Sequence, residues 1–133
     1  MIGLVIVTHG TLATGFRAAL EHVVGPQKQI AAISIDPNDD MDVRRDDILS
    51  AVEKVNSGEG VVLLTDMFGG TPSNLAISVI DQISAEVIAG INLPMLIKLA
   101  SIRGEVGLEE AVNEAQDAGR KYISVASQIL SDK

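Results

Sequence analysis

Apolar residues fall along this chain in short unbroken runs separated by longer stretches of helical period. Ile2–Val7, Ile30–Ile35, Val61–Thr65 and Glu86–Ile91 are the short runs. They are rich in Val and Ile and read as strands covered on both faces. Thr11–Val24 places Phe16, Leu20, Val23 and Val24 on one helical face and stops at Gly25-Pro26. Asp42–Asn56 turns Ile48, Val52 and Val55 inward and Arg44, Arg45, Asp46 and Asp47 outward, with acidic residues at the end that suits the helix dipole. Pro72–Ile83 carries Leu75, Val79, Ile80 and Ile83 along one side. A short apolar helix, Met95–Ile102, follows Asn92-Leu93-Pro94, and Arg103-Gly104-Glu105 reads as a turn. A last helix starts near Leu108, packs on Val112 and Ala115, and ends near Gly119. In the tail, Ile123, Val125 and Ile129 alternate as a strand would, while Tyr122, Ala126 and Ile129 would equally line a helix; a strand is expected over about 121–127.

Strand and helix alternating through short loops predict an α/β domain, residues 1–133, with a doubly wound, mainly parallel sheet and helices on both faces. Right-handed crossovers and the commonest strand order for such sheets, 2-1-3-4, make the first and third strands neighbours. Their connections then leave to opposite faces, and a crevice opens between their carboxyl ends, where ligands bind.

Polar residues stand at that crevice. Thr8-His9-Gly10-Thr11 follows the first strand, and Asp66-Met67-Phe68-Gly69-Gly70-Thr71-Pro72-Ser73-Asn74 follows the third. Gly69-Gly70 permits a sharp turn. Thr71 is expected as an N-cap, with Pro72 at the first helical position. The free N–H groups of such a helix start hold anions. Adjacent strands lie about 4.8 Å apart, close enough for an imidazole and a carboxylate to meet. If Asp66 accepts the Nδ1 proton, the tautomer is set and His9 Nε2 becomes an oriented nucleophile. The carboxylate also stabilises positive charge growing on the ring. The N–H groups near Gly70 and Ser73 and the glycine turn at Gly10 favour an anionic group under attack, and a phosphoryl group fits. Met67 and Phe68 are either packing residues or an exposed rim for a partner protein. His22 reads as a solvated histidine near a helix C-terminus.

Composition narrows the classes. The net charge is −8, so nucleic acid and anionic membrane surfaces are poor partners. There is no cysteine, which excludes disulfides and thiolate metal sites. Neither a signal peptide nor a membrane span is legible, and a cytoplasmic protein is expected. Nothing in the pattern calls for a cofactor or a metal.

Together, the strand-THG start, the DMFGGTPSN segment and the VIAGINLPML segment resemble the mannose-family IIA component of the bacterial phosphotransferase system, in order and spacing over nearly the whole chain. The resemblance implies a phosphotransferase that acts as a phosphohistidine carrier. The carrier HPr, or a paralogue, donates a phosphoryl group to the histidine, which passes it to a IIB component. By position, His9 is the phosphorylated residue, Asp66 orients it, and Thr71 offers its hydroxyl to the phosphoryl oxygens. Gly10, Gly70 and Ser73 complete the phosphoryl-binding set. The family also implies a homodimer in which the C-terminal strand crosses antiparallel onto the partner's sheet. With no linker after Ser131-Asp132-Lys133, a stand-alone IIA protein is expected, whose outlet is a sugar-specific IIB protein or a regulatory target in a system without a permease.

Other readings lose support on particular residues. A histidine phosphatase wants an arginine beside the histidine, where Thr8 stands. A small chelatase wants a second site histidine, and the only other one is His22. A nucleotide-binding module wants a Gly-rich loop with lysine, which is absent. A regulatory binding protein remains compatible, since charging His9 could itself be the switch.

Overall fold

A computed structural model describes residues 1–80 and 84–131. Four strands form one parallel sheet: β1 (Gly3–His9), β2 (Ile30–Ile35), β3 (Val61–Thr65) and β4 (Ala85–Ala89), in the order β2-β1-β3-β4. The expected strand order is therefore the observed one. Six helices connect and flank them: α1 (Leu12–Val24), α2 (Met41–Val55), α3 (Thr71–Val79), α4 (Leu93–Ile102), α5 (Leu108–Lys121) and α6 (Ala126–Ser131). The expected end of the third helix at Ile83 lies outside the described residues.

Side chains alternate across the sheet, and the two central strands are apolar on both faces because both faces are covered. Leu4, Ile6, Val62 and Leu64 pack with Ala13 and Leu20 of α1, Leu96 and Leu99 of α4, and Ala111 and Ala115 of α5. Val5, Val7, Val61 and Leu63 pack on the other face with Ile48 and Val52 of α2 and Ala76 and Val79 of α3. Gly3 begins β1 where a Cβ would lie 2.5 Å from the carbonyl oxygen of Val55, so only glycine lets the end of α2 approach the strand this closely.

The same alternation runs on into the polar end of β1. His9 is the last strand residue rather than the first loop residue. It follows Val5 and Val7 onto the α2/α3 face, while Thr8 turns to the α1 face. Thr8 is buried, and its hydroxyl accepts the Ala13 N–H at 2.7 Å and donates to the His9 carbonyl at 3.2 Å. It therefore caps α1 from within the strand, in a helix whose own N-cap residue, Thr11, makes no side-chain cap bond.

Two sequence expectations are corrected. Val23 and Val24 are exposed, and the buried residues of α1 are Ala13 and Leu20. The tail does not form the antiparallel strand expected over 121–127: α5 continues through Lys121, and Ala126–Ser131 is helical with its residues exposed. Alternation of Ile123, Val125 and Ile129 has no sheet edge beside it in a single chain to turn it into pairing. Arg103 stands in the expected turn Arg103-Gly104-Glu105, yet it is 2% exposed. Its guanidinium donates to the carbonyls of Ile2, Lys28 and Gln29 and to Gln27 Oε1, closing the end of α4 against the start of β1 and the loop before β2. Burial among neutral acceptors, with no carboxylate opposite, lowers its pKa from the ordinary arginine value.

Replacing Arg103 with methionine keeps the volume but strands several buried carbonyls without donors. At about 1–3 kcal/mol for each buried group left unpaired, Arg103→Met is expected to lower unfolding stability by roughly 2–4 kcal/mol. Urea denaturation followed by circular dichroism measures it, and an unchanged midpoint would show the network to be dispensable.

Candidate functional site at the carboxyl ends of the central strands

The ladder sets the geometry. Val7 of β1 pairs with Thr65 of β3, so His9 stands two residues beyond the last paired position on one strand and Asp66 one residue beyond it on the other. That diagonal brings them into direct contact. Asp66 Oδ2 accepts both the His9 backbone N–H, at 2.9 Å, and the ring Nδ1–H, at 2.8 Å. One carboxylate oxygen therefore orients both the peptide and the imidazole of the same residue. Its other oxygen, Oδ1, accepts the Met67 N–H at 3.1 Å and holds the start of the glycine turn.

With Nδ1 donating to a carboxylate, the free lone pair lies on Nε2. No described residue hydrogen-bonds that nitrogen. The His9 side chain is 49% exposed, whereas that of Asp66 is 13% exposed. The imidazole thus faces outward from a shielded anchor. Burial alone would raise the Asp66 pKa. The backbone N–H of His9, the ring hydrogen bond and the ring charge outweigh it, and hold the carboxyl below its ordinary value of 3.8.

Gly70 forms the floor under the ring. A Cβ at this position would lie 2.7 Å from His9 Cε1 and 3.2 Å from Nε2. Its φ of −92° is open to any residue, so the requirement for glycine here is steric. Gly69 differs, with a φ of +83° that turns the chain into α3. The helix begins one residue earlier than expected: Gly70 is the N-cap and makes no side-chain cap bond, and Thr71 is the first helical residue. Thr71 is exposed, and its hydroxyl is therefore not consumed in capping. The first N–H in α3 to reach a carbonyl is that of Asn74, onto Gly70 at 3.0 Å. The N–H groups of Thr71 and Ser73 are left at the helix mouth.

Ser73 stands differently from the other expected phosphoryl-binding residues. Its side chain is fully buried and its hydroxyl accepts from Thr65 Oγ1 at 3.2 Å. Only its backbone faces the helix mouth. Gly10, at φ +54°, lets the chain turn from β1 into α1, and its N–H is held by the Ile35 carbonyl at 3.0 Å. That N–H is already engaged, so Gly10 shapes the rim instead of offering a free donor.

Beside His9 opens a cleft of about 430 Å³, lined by His9, Gly10, Ile35, Asp36, Pro37, Met41 and Thr71. The contribution of β2 and α2 to this cleft was not read from the sequence; the signal available was the turn cluster Asp36–Asp40 directly after a strand flanking β1. Met67 and Phe68 prove to be an exposed rim, with Phe68 at 70%. Leu12, at the start of α1, is a further exposed apolar residue. His22 lies on the exposed last turn of α1, away from the site.

Such an arrangement holds a nucleophilic nitrogen in one orientation, stabilises positive charge on its ring, and sets the N-terminal ends of α1 and α3 around the position of an incoming anionic group.

Comparison with known proteins finds relatives over nearly the whole chain. The family described as "PTS system fructose IIA component" matches residues 3–116. Over 124 residues the chain is 32% identical to the PTS system mannose-specific EIIAB component of Escherichia coli (strain K12), covering 92% of this chain and 38% of that protein. The chain thus spans well under half the length of that relative. Over 132 residues it is 26% identical to the PTS system fructose-specific EIIA component of Bacillus subtilis (strain 168), covering 98% of this chain and 90% of that protein. The fold is shared with the phosphotransferase system component EIIA from Streptococcus agalactiae, with a TM-score of 0.89 at 24% identity over 96% of this chain and 99% of that one.

Two outcomes follow from the geometry. Gly70→Ala is expected to leave the fold intact but to displace the ring from Asp66; loss of the His9 Nδ1–H hydrogen-bond signature in ¹⁵N imidazole spectra checks this, and an unaltered signature would place the ring elsewhere. For pH, the Asp66 pKa is lower in the folded state than in the unfolded chain. Its contribution to stability is then complete above about pH 4 and is lost as pH falls through the depressed folded value. The stability gap between the wild type and Asp66→Asn should accordingly close as pH falls below about 4, as read by thermal unfolding across pH.

Proposed function

This chain belongs to the mannose-type IIA family of the phosphotransferase system, and from that premise we propose that it is a phosphocarrier in which His9 takes a phosphoryl group on Nε2 and passes it on. The single observation that supports this most is the double engagement of Asp66 Oδ2 by the N–H and the Nδ1–H of His9, at 2.9 and 2.8 Å. It leaves Nε2 as the one free nucleophilic position of an exposed ring.

In this reading residues 1–133 act as one IIA domain in the cytoplasm. The donor is HPr or a paralogue and the acceptor is a IIB component. In the forward step the Nε2 lone pair forms the bond to phosphorus while the donor's bond to phosphorus breaks, and the donor atom keeps the electron pair. The Nδ1 proton stays between the ring and Asp66, which balances the positive charge on the ring. Thr71 supplies its hydroxyl and the α3 mouth its N–H groups to the phosphoryl oxygens. Among the described residues no helix is long and apolar enough to cross a membrane. The exposed residues Leu12, Met67 and Phe68 form a surface around His9 suited to transient protein contact.

The chain works as a homodimer in this reading. Support comes from β4, which is an edge strand of the sheet, and from a tail in which Tyr122, Ile123, Val125, Ile129 and Leu130 are all exposed. An unpaired edge and an unburied apolar segment satisfy each other when the tail crosses to a second copy and pairs antiparallel.

Incubation with Enzyme I, HPr and phosphoenolpyruvate is expected to add one acid-labile, base-stable phosphoryl group. His9→Ala should abolish the label, and a label that survives it would move the site elsewhere. With Asp66→Asn, transfer should slow by at least about tenfold while the fold is kept, the loss of about 1.4 kcal/mol or more of transition-state stabilisation; unchanged single-turnover kinetics would remove Asp66 from the mechanism. Sedimentation equilibrium is expected to give a dimer that dissociates on deletion of residues 122–133.

A further inference from the structure

The cleft beside His9 contains a charge that the transfer step does not use. Among the acidic residues of the β2–α2 connection, most carboxylates are engaged. Asp39 accepts the Asp36 N–H and stands 3.8 Å from Arg44 of α2, which also pairs with Asp47 of the same helix at 3.1 Å, and Asp40 accepts the N–H groups of Asp42 and Val43. Asp36 is exposed, lines the same cleft as His9, and its carboxylate has no partner among the described residues. No lysine or arginine is among the residues that line the cleft. Of the other walls, Ile35, Pro37 and Met41 are apolar, and Gly10 and Thr71 carry no charge to offset it.

We propose that Asp36 sets the phosphoryl-transfer potential of this protein: its negative charge faces the group carried on His9 and makes the phosphorylated state a stronger donor. The inference rests on the phosphocarrier reading above. On Nε2 the group is close to a dianion at neutral pH, and a second fixed negative charge across a shared cleft disfavours it. Asp66 does not play this part, because its carboxylate is bound on both oxygens and compensates the ring. Asp36 acts on the other side of the phosphorus, on a charge that exists only after transfer. Its consequence is directional: the group is accepted less completely and released more readily to the next protein.

The transfer is balanced throughout. Phosphorus leaves the donor protein, bonds to Nε2, and later leaves Nε2 for the acceptor, with the electron pair returning to the ring. Asp36 forms no bond in any step. Its effect is on the equilibrium constant, and this separates it from docking, which alters rates in both directions equally.

The test is the equilibrium between phosphorylated HPr and this protein, read by phosphate-affinity gel or intact mass at fixed protein ratios. Asp36→Asn is nearly isosteric, and the backbone bonds of residue 36 to Asp39 do not use the side chain. The variant is expected to shift the equilibrium toward phosphorylated His9 by about three- to tenfold, the scale of one charge facing a dianion across water. The shift should shrink between 0.05 M and 1 M salt, as the screening length falls from roughly 14 Å to about 3 Å. Glu59→Gln removes the same charge before β3, at the opposite end of the sheet, and is expected to change nothing. An unchanged equilibrium in Asp36→Asn, a shift toward phosphorylated HPr, or a shift equal to that of Glu59→Gln would overturn the proposal. So would a shift independent of salt. Failure of the wild type to take any label would overturn the phosphocarrier reading itself, a result distinct from a labelled wild type whose equilibrium ignores residue 36.

Discussion

Two parallel strands lie side by side with Val7 opposite Thr65, and the position of every reacting group descends from that pairing. A parallel ladder has no freedom to slide by one residue, because a slip would turn each buried apolar side chain of β1 to the wrong layer. Both layers are filled, so the register is held from both faces at once. What emerges beyond the last paired residues is therefore placed as firmly as the core. Asp66 and His9 meet diagonally across the gap, and one oxygen serves both the peptide and the ring.

Alternation along β1 then sorts the chemistry by face. Thr8 turns toward α1 and spends its hydroxyl on the Ala13 N–H and the His9 carbonyl. His9 turns toward α3, where the absence of a side chain at Gly70 lets the imidazole lie against the helix start. One residue fixes the helix that follows, and the next presents the ring. Neither could exchange place with the other without reversing the layers.

Electrostatics at this end of the sheet is a balance of opposed terms. The chain carries a net charge of −8, and the proposed function asks this end of the sheet to receive another anion. The N-terminus of α3 and its unpaired N–H groups would favour that anion, Asp66 is tied up by its two bonds to His9, and Asp36 lines the His9 cleft without a side-chain partner among the described residues. A phosphocarrier, as proposed, has to release its cargo as well as hold it. At the far end of the sheet the reverse case occurs: Arg103 is a buried cation among neutral oxygens, and its role is to close the chain's first strand against α4.

Strand order, the facing of His9 and Asp66 and most helix spans were legible in the sequence, because apolar runs covered on both faces and Gly/Pro punctuation report directly on local conformation and layer. So was the exposed turn carrying Met67 and Phe68, as one of two options. Other features belonged to the tertiary structure alone. The helix start at Gly70 rather than Thr71, the burial of the Ser73 hydroxyl against Thr65 and the engagement of the Gly10 N–H by Ile35 all depend on which strand lies beside which. Arg103 does stand in the turn the sequence suggested, but its burial was not legible, because a sequence shows charge and not the four oxygens waiting at 2, 27, 28 and 29. The tail's alternation was a true pattern without a consequence inside one chain, since a strand exists only where an edge receives it. Periodicity is a property of neighbours along the chain, and hydrogen-bond partners far apart in it are chosen only when the sheet closes.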